Sequence, residues 1–342
     1  MSFRLKLALV AGCVLISTGA SEAQTRVLTL EAIKQRGMLV CGANTGLPGF
    51  SVPDKQGNWS GMDVDFCRAI AAAIFNDATK VRFIPTSSVT RFATLQSGEV
   101  DVLSRNVTWT SSRDTALGFN FGPVTYYDGQ GFMVKKSLAA KSALDLSGAT
   151  VCVNQGSTTE LNLADYFRSN KMQLKVVSFP TGEESVKAYE AGRCDSFTTD
   201  VSGLYAERLK LANVSDHVIL PEIISKEPLA PAVRHGDDQW FDVVKWVHFA
   251  RITAEELGVT KANVDEQLKS TNPDVRRLLG VEGKHGEAMG LSNDWAYRMI
   301  KQTGNYGENF ERNVGAASEL KIARGLNNLW TNGGLQYAPP IR

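Results

Sequence analysis

Short apolar runs alternate with helix-period segments along this chain, and the alternation occurs twice. In the first half, apolar runs at 38–41, 81–84 and 100–103 enclose helical patterns at 63–75 and 90–97, with Asp63 as the expected N-cap of the first helix. After about residue 148 the order repeats, as strand 151–153, helix 157–168, strand 175–178, helix 182–191 and strand 195–198. Such alternation is typical of parallel strands joined by crossover helices. The sequence therefore predicts an α/β protein with two sheets flanked by helices.

Two similar segments mark comparable strand ends in the two halves. LQSGEVDVLSRN (95–106) and YEAGRCDSFTTD (189–200) both run from a helix end through glycine and aspartate into a strand and a polar tip. The match is weak evidence for a sequence repeat. Any helix that ends at a glycine and is followed by a strand can produce the same pattern by chance. Ligands of open α/β sheets bind outside the carboxyl ends of the strands. The two polar tips are therefore predicted to face each other across a cleft.

The N-terminus has the composition of a secretory signal peptide. Arg4 and Lys6 precede an apolar run at 7–16, and small residues lead to an expected cleavage after Ala23. A lipoprotein box ending at Cys13 is the less favoured alternative, because the apolar run continues beyond it. No later segment has eighteen uninterrupted apolar residues, so residues 1–23 predict a periplasmic protein that is not membrane-embedded.

Charge and size narrow the possible functions. Removing Arg4, Lys6 and Glu22 from the 37 basic and 36 acidic residues leaves 35 of each. Without a basic run or stripe, nucleic acid and anionic membrane surfaces are not expected partners. The remaining chain is long enough for about two domains, and its apolar content of 43% can fill substantial cores.

Four cysteines follow the expected cleavage site, and none belongs to a C-x-x-C pair. A zinc cluster is therefore not expected, and the four histidines show no metal-ligand spacing. In an oxidising compartment four cysteines predict two disulfides with three possible connectivities. Pairing within each half is favoured, which gives Cys41–Cys67 and Cys152–Cys194.

The polar strand tips supply the groups that a zwitterion requires. A carboxylate is bound well by the planar fork of an arginine and by hydroxyls or free backbone amides, and an ammonium requires an acid. Arg113, Thr108 and Asn106 follow the first-half strand, and Asp200 ends the second-half strand. The segment 154–158 leads from a strand into a helix, whose first amides form an anion site.

Each of these residues also has an ordinary structural interpretation. Ser157 and Glu160 fit a capping box, and Asp200 fits an N-cap. Arg113 alone is typical of a surface ion pair. Arg105 is expected to be exposed to solvent, with contact to an acidic ligand side chain as the alternative.

Longer motifs resemble the polar amino-acid class of periplasmic solute-binding proteins, which serve ABC importers, and within it the general L-amino-acid-binding members. The resemblance covers essentially the whole chain after the signal segment. It rests on GLPGFSVPDKQGNWSGMDVDFCRAIAAAIF, LQSGEVDVLSRNVTWTSSRD, YYDGQGFMVKK, NQGSTTELNLADYF, CDSFTTDVSGLYA, NYGENFERNVG and GGLQYAPPIR. It implies a two-lobed, type II-like fold with mixed sheets and two hinge crossings. It further implies free L-amino acids and a membrane permease as partners, and no cofactor.

The resemblance also implies where the lobes divide. YYDGQG at 126–131 leaves the first lobe, and SKEPLAP at 225–231 returns to it. Lobe 1 is then expected at 24–127 plus 229–342, with the C-terminal helical stretch packed on it. Lobe 2 is expected at 130–226.

Roles follow residue by residue from the resemblance. Arg113 corresponds to the arginine that binds the ligand carboxylate, Thr108 to the hydroxyl beside it, and Asn106 to a backbone contact. Thr158 corresponds to the hydroxyl and amide of the second lobe, and Asp200 to the acid that holds the ammonium. Ser157 and Asn154 belong to the same second-lobe set.

At three positions expected near the ligand side chain, this sequence differs from narrow-specificity relatives. Asn44 and Leu47 stand where such relatives often carry an acidic or aromatic residue, and Ser88 stands where they carry a stacking residue. The pocket thus lacks one dominant selector, which favours broad specificity.

Two other functions compete with transport. Some proteins of this fold are dehydratases that act on cyclic dicarboxylic acids, but the sequence has no G-x-S-x-G, H-E-x-x-H or P-loop motif. Gly129-x-Gly131 lacks the third glycine of a dinucleotide fingerprint. A ligand-sensing module is the second rival, but a fused signalling domain or anchor is not expected. Binding without turnover, and hence no enzyme, is the prediction.

Overall fold

The computed structural model describes residues 28–342; the predicted signal segment and its cleavage after Ala23 lie outside the described residues. The strands are β1 Leu39–Asn44, β2 Val52–Pro53, β3 Trp59–Ser60, β4 Val81–Thr86, β5 Val102–Leu103, β6 Phe119–Phe121, β7 Tyr126–Asp128, β8 Gln130–Lys135, β9 Thr150–Asn154, β10 Lys175–Phe179, β11 Ser196–Asp200, β12 His217–Ile219, β13 Glu227–Leu229 and β14 Ala232–Arg234. The α-helices are α1 Thr29–Arg36, α2 Met62–Phe75, α3 Arg91–Gln96, α4 Thr158–Ser169, α5 Gly182–Glu190, α6 Val201–Arg208, α7 Asp238–Glu256, α8 Val264–Gln267, α9 Pro273–Leu278, α10 His285–Ala288, α11 Trp295–Thr303 and α12 Tyr306–Asn313.

Two five-stranded sheets form the two lobes. The first lobe contains the sheet β4-β1-β5-β14-β6, and the second contains β10-β9-β11-β8-β12. In the first, β1 runs parallel to β4 and β5, while β14 is antiparallel to its neighbours. In the second, β9 runs parallel to β10 and β11, while β8 is antiparallel. The predicted two-lobed fold with mixed sheets flanked by helices is confirmed.

A short antiparallel ribbon connects the lobes. Strands β7 and β13 pair with Asp128 opposite Glu227 and Tyr126 opposite Leu229. Directly after β7 the chain enters β8 of the second sheet, and soon after β13 it enters β14 of the first. Both crossings between the lobes therefore run side by side, as a hinge requires.

Separate apolar cores support the two sheets. In the first lobe Leu39 of β1 packs with Phe66 of α2 and Val243 of α7. In the second, Phe132 of β8 and Phe167 of α4 belong to one buried cluster. Each core is a buried apolar cluster that stabilises the sheet of its own lobe.

The predicted disulfides are confirmed, one in each lobe. Cys41 of β1 bonds to Cys67 of α2, and Cys152 of β9 bonds to Cys194, which lies just before β11. Each bond ties a central strand to a neighbouring element of the same lobe.

The expected N-cap at Asp63 is wrong. Helix α2 begins at Met62 after Gly61, and Asp63 lies buried in the first turn. Gly61 has φ 126°, and a Cβ there would lie 2.1 Å from the carbonyl oxygen of Phe50. Only glycine fits this close approach, so the helix start is set by backbone packing. The Asp63 carboxylate is thereby free to bind the site loop described below.

Among residues 28–342, no helix combines the length and the apolarity needed to cross a bilayer.

Candidate functional site

A cavity of about 620 Å³, partly open to solvent, lies where strand ends of the two sheets face each other. Eight of the nine sequence-predicted site residues line it: Asn44, Ser88, Asn106 and Thr108 from the first lobe, and Asn154, Ser157, Thr158 and Asp200 from the second. Leu47 lies on the same wall.

Arg113 lies directly behind this wall. It belongs to a single π-helical turn, Ser112–Ala116, and its Nη1 donates to the carbonyl oxygen of Thr108 at 2.8 Å. The guanidinium carbon lies 5.1 Å from the centre of the Phe92 ring. Burial lowers the pKa of Arg113, while the carboxylates of Glu227 and Asp200 act in the opposite direction. The arginine is thus a buried cation with two acids near it.

Asp200 is the last residue of β11 and precedes helix α6. Although it has the N-cap position, its side chain makes no capping hydrogen bond. Burial raises the pKa of Asp200, the charges of Asp128 and Glu227 raise it further, and a hydrogen bond from the Asn106 side chain acts against the rise. An ionised carboxylate in this setting requires a cation beside it. An ammonium group in the cavity would supply that cation.

Asn106 holds the first-lobe loop in shape. It has φ 42°, which asparagine tolerates better than most residues. Its N–H donates to Asp63 Oδ2 at 2.9 Å, and its side-chain oxygen accepts from Asn44 Nδ2 at 2.9 Å. Burial raises the pKa of Asp63 to about 6, although the Asn106 N–H and the Ser104 hydroxyl lower it. Since the amide is used by Asp63, the carbonyl of Asn106 is the backbone group left for a ligand.

The N-terminus of α4 brings backbone amides to the opposite wall. Ser157 Oγ accepts from the N–H of Glu160 at 3.2 Å, whereas Glu160 binds the N–H of Gly156 at 3.0 Å and not that of Ser157. The capping box is therefore only half formed. The N–H groups of Thr158 and Thr159 are in the first turn of the helix, where no intrahelical acceptor exists. Both residues line the cavity, so this helix end is an anion site.

The two lobes touch at this point through hydroxyl groups. Thr108 Oγ1 of the first lobe lies 3.2 Å from Thr158 Oγ1 of the second. Both hydroxyls also reach the buried carboxylate of Glu227 in the hinge strand β13, at 2.5 and 2.8 Å. The two lobes are therefore in direct contact beside the hinge in this structure.

Sequence reasoning missed Glu227 and Arg91. Arg91 begins α3, is 3% exposed and lines the cavity, and its Nε has no hydrogen-bond partner among the described residues. Burial and the neighbouring charges of Arg105 and Arg113 lower its pKa. In the sequence, Arg91 is recognisable only as the first residue of a helix after a polar turn. That position does not distinguish a site residue from a surface cation.

The expected exposure of Arg105 is wrong. The side chain is 5% exposed and lines the cavity. Its Nε donates to the carbonyl of Thr86 at 3.0 Å, and its Nη2 lies 3.5 Å from Ser88 Oγ. Burial lowers its pKa to about 10, against the opposing charge of Asp63. The strand β4 shields it from solvent, which an isolated loop sequence does not reveal.

The first-lobe wall is thus rich in guanidinium groups, and the second-lobe wall carries Asp200 and the amides of α4. No group of three or more His, Cys, Asp or Glu side chains within residues 28–342 is placed to hold a metal ion. The arrangement can bind a dipolar solute through charge-assisted hydrogen bonds from both sides.

Comparisons with known proteins find amino-acid-binding proteins of the same length and fold. The general L-amino acid-binding periplasmic protein AapJ of Rhizobium johnstonii is 61% identical over 338 residues, which cover 98% of each protein. The glutamate/glutamine/aspartate/asparagine-binding protein BztA of Rhodobacter capsulatus is 56% identical over 315 residues, covering 92% of this chain and 93% of BztA. A solved periplasmic binding protein of an ABC transporter from Brucella ovis, with glutathione bound, superimposes with a TM-score of 0.91. The two proteins are 58% identical, and the match covers 92% of this chain and 100% of the Brucella ovis chain.

Such homologues are periplasmic amino-acid-binding components of ABC transporters. The family model for bacterial extracellular solute-binding proteins, family 3, matches residues 39–262. With nearly full-length similarity to such receptors and the same two-lobed fold, this chain belongs to the bacterial extracellular solute-binding proteins of family 3.

Proposed function

We propose that this protein captures free L-amino acids of varied side chains outside the cytoplasm and delivers them to the permease of an ABC importer. The carrying observation is one cavity between the lobes, with Arg113 directly behind its first-lobe wall and with Asp200 and the α4 amides on its second-lobe wall. In this proposal Arg113 and the amides of α4 hold the carboxylate of the amino acid. Asp200 and the carbonyl of Asn106 hold its ammonium.

The energy available from these contacts suits a transport receptor. Hydrogen bonds to charged groups contribute about 1.5–3 kcal/mol each. Three or four of them reach about −8 kcal/mol, which corresponds to micromolar affinity. A ligand that contacts both lobes stabilises the closed form by its differential affinity for that form.

The lobe boundaries form part of the same proposal. Lobe 1 comprises 24–127 and 229–342, lobe 2 comprises 130–226, and the crossings at 126–131 and 225–231 bend when a ligand enters or leaves. The antiparallel pairing of β7 with β13 supports this division, because few residues connect the two cores there. Secretion through residues 1–23 is the proposed route to the periplasm.

The side-chain end of the pocket supports broad specificity that includes acidic ligands. No aromatic residue occupies the positions of Asn44, Leu47 and Ser88, and the buried guanidinium groups of Arg91 and Arg105 lie on this wall. A second carboxylate on the ligand would find cationic donors there. BztA is named for glutamate, glutamine, aspartate and asparagine, and the Brucella ovis structure holds glutathione, so several of these ligands carry a second carboxylate.

We expect Arg113→Ala to lose binding by a hundredfold or more, because the carboxylate would then lack its charged partner in a desolvated site. The melting temperature of the ligand-free variant should remain close to that of the wild type, since the side chain of Arg113 makes a single hydrogen bond to the described residues. Thermal-shift screening of the twenty L-amino acids and glutathione, followed by calorimetry, measures both quantities. The protein is first unfolded and refolded to remove endogenous ligand.

The matched control is Arg276→Ala, because Arg276 is partly exposed and pairs with Glu282 far from the cavity. It should bind like the wild type. Retained affinity in Arg113→Ala would contradict the site assignment. Turnover of a prephenate-type cyclic dicarboxylic acid by the purified protein would contradict the proposal of a carrier without enzymatic activity.

A further inference from the structure

The hinge strand β13 carries a carboxylate that is bonded to both lobes at once. Glu227 is 1% exposed and lies opposite Asp128 in the hinge ribbon. Thr108 lies beside the same strand, in an antiparallel bridge with Leu229, and Trp109 donates its N–H to the carbonyl of Pro228. The carboxylate therefore sits at the point where the first-lobe site loop meets the hinge.

Four donors saturate this carboxylate. Oε2 accepts from Thr108 Oγ1 at 2.5 Å and from Thr158 Oγ1 at 2.8 Å. Oε1 accepts from Asn162 Nδ2 at 2.7 Å and from Ser225 Oγ at 2.6 Å. Thr108 comes from the first lobe, whereas Thr158 and Asn162 come from α4 of the second. Such charge-assisted bonds are among the strongest hydrogen bonds of proteins.

The direction of these bonds determines what the threonines can offer a ligand. An ionised carboxylate only accepts, so each hydroxyl proton points to Glu227. The contact of 3.2 Å between the two hydroxyl oxygens is longer than either bond to Glu227. Each threonine oxygen is left with lone pairs alone, and it can accept from a ligand N–H but cannot donate to a ligand carboxylate. The resemblance had placed the Thr108 hydroxyl beside the carboxylate.

We infer that Glu227 is a positioning residue that latches the closed form by taking the hydroxyl protons of Thr108 and Thr158 together. One oxygen atom can hold both hydroxyls only while the lobes are in contact. Opening the hinge separates the two donors and breaks at least one of the bonds. The latch also leaves both threonine oxygens as hydrogen-bond acceptors only. This inference rests on the proposed function, because the latch acts on a ligand enclosed between the lobes.

Glu227→Gln tests the latch. It keeps the size of the side chain but replaces one accepting oxygen by an NH₂ group, which cannot accept a hydrogen bond from the surrounding donors. We expect amino-acid affinity to fall on the order of tenfold to a hundredfold. The loss should appear in the dissociation rate, with association nearly unchanged, because the latch forms after the ligand has entered. Stopped-flow fluorescence and calorimetry measure these quantities. Glu222→Gln is the control, because Glu222 bonds only within the second lobe, to the N–H of Ala143 at 3.0 Å.

A double-mutant cycle separates positioning from a purely structural role. Thr158→Val should weaken binding less in the Glu227→Gln background than in the wild type, because the shared bond is already lost. If Glu227→Gln does not fold, Thr108→Val, Thr158→Val and their double variant give the same information. Since both hydroxyls share one oxygen, the loss in the double variant should be smaller than the sum of the single losses.

The outcomes distinguish this inference from the proposed function. Unchanged dissociation in a folded Glu227→Gln variant, or strictly additive losses in the threonine series, would overturn the latch while leaving amino-acid binding intact. Failure of the wild-type protein to bind any amino acid or glutathione would instead refute the proposed function, and the latch with it.

Discussion

Asp200 and Arg113 are both buried, and the burial of each charged side chain makes an unfavourable contribution to folding. Removing an ion from water costs several kcal/mol unless a partner compensates for it. Asp200 is surrounded by further acids, whose charges raise its pKa beyond the effect of burial. The charge of Arg91 acts in the opposite direction, and an ammonium group in the cavity would add a cation directly beside the acid. A dipolar ligand satisfies both residues at once, which ties affinity to the protonation of Asp200.

We expect amino-acid affinity to decrease as the pH falls toward the raised pKa of Asp200. Because the pKa of Asp200 is raised in the ligand-free protein, the acid takes up a proton as the pH falls toward that pKa. An ammonium ligand binds the ionised form and must displace this proton, so binding releases protons. Calorimetry in two buffers of different ionisation enthalpy measures the release directly.

Asp200→Asn should bind about tenfold to a hundredfold more weakly and should show a flatter pH profile. Asp274→Asn is a suitable control, because Asp274 is exposed and pairs with Arg277. An Asp200→Asn variant with the pH profile of the wild type would show that another group, such as Asp128, controls the proton. The pKa of Asp128 is itself raised to about 6 by burial.

At the scale of elements, the site depends on where strands end and helices begin. β1 ends at Asn44 and β11 at Asp200, so strand geometry delivers both side chains to the cavity. Helix α4 begins at Thr158 and points its free amides at the same space. The disulfides help to keep these elements in register. One joins β1 to α2, and the other joins β9 to the residue segment just before β11.

Reduction should destabilise each lobe while leaving the site functional in the folded state. The two disulfides join residues 26 and 42 positions apart. Loops of this size correspond to a stabilisation of roughly 3–4 kcal/mol each in the chain-entropy model. Urea unfolding with and without reductant, and of Cys41→Ala/Cys67→Ala and Cys152→Ala/Cys194→Ala double variants, measures the loss. Identical unfolding midpoints before and after complete reduction would contradict the estimate.

At the scale of the whole molecule, the C-terminal segment acts on the hinge. The family model ends at residue 262, and helices α11 and α12 beyond it pack against the first-lobe core. Asn327 accepts the N–H of Tyr127 at 2.7 Å and donates to its carbonyl at 3.0 Å. Tyr306 donates to the carbonyl of Thr125 at 3.0 Å. The segment therefore holds the backbone of strand β7 where it enters the hinge.

Asn327→Ala should lower the free energy of unfolding by about 1–3 kcal/mol, because two backbone groups of a partly buried strand lose their partner. Ligand affinity should change much less than in Arg113→Ala, since Asn327 does not line the cavity. Denaturant unfolding and calorimetry measure the two effects. Asn332→Ala serves as the control, because Asn332 is exposed in a nearby turn. Equal stability of the two variants would show that the bonds to Tyr127 contribute nothing.

Much of the fold could be predicted from local sequence patterns. Helical spacing and short apolar runs are properties of neighbouring residues, so all ten elements predicted before residue 200 exist with small differences at their ends. The antiparallel strands β8 and β14 were not predicted as sheet members. They join their sheets only after the chain has crossed between lobes, and no local periodicity encodes such a pairing.

The sequence by itself determined the two α/β units and the polar strand tips, because each depends on residue order over short distances. It favoured one disulfide in each half among three possible connectivities, and the structure decided the pairing. Only the tertiary structure decided that Asp63, Arg91, Arg105 and Glu227 belong to one site. These residues come from α2, α3, a loop and the hinge, and their roles depend on burial and on partners that are distant in the chain. Burial is created by packing, and packing is complete only when both lobes and the hinge are in place.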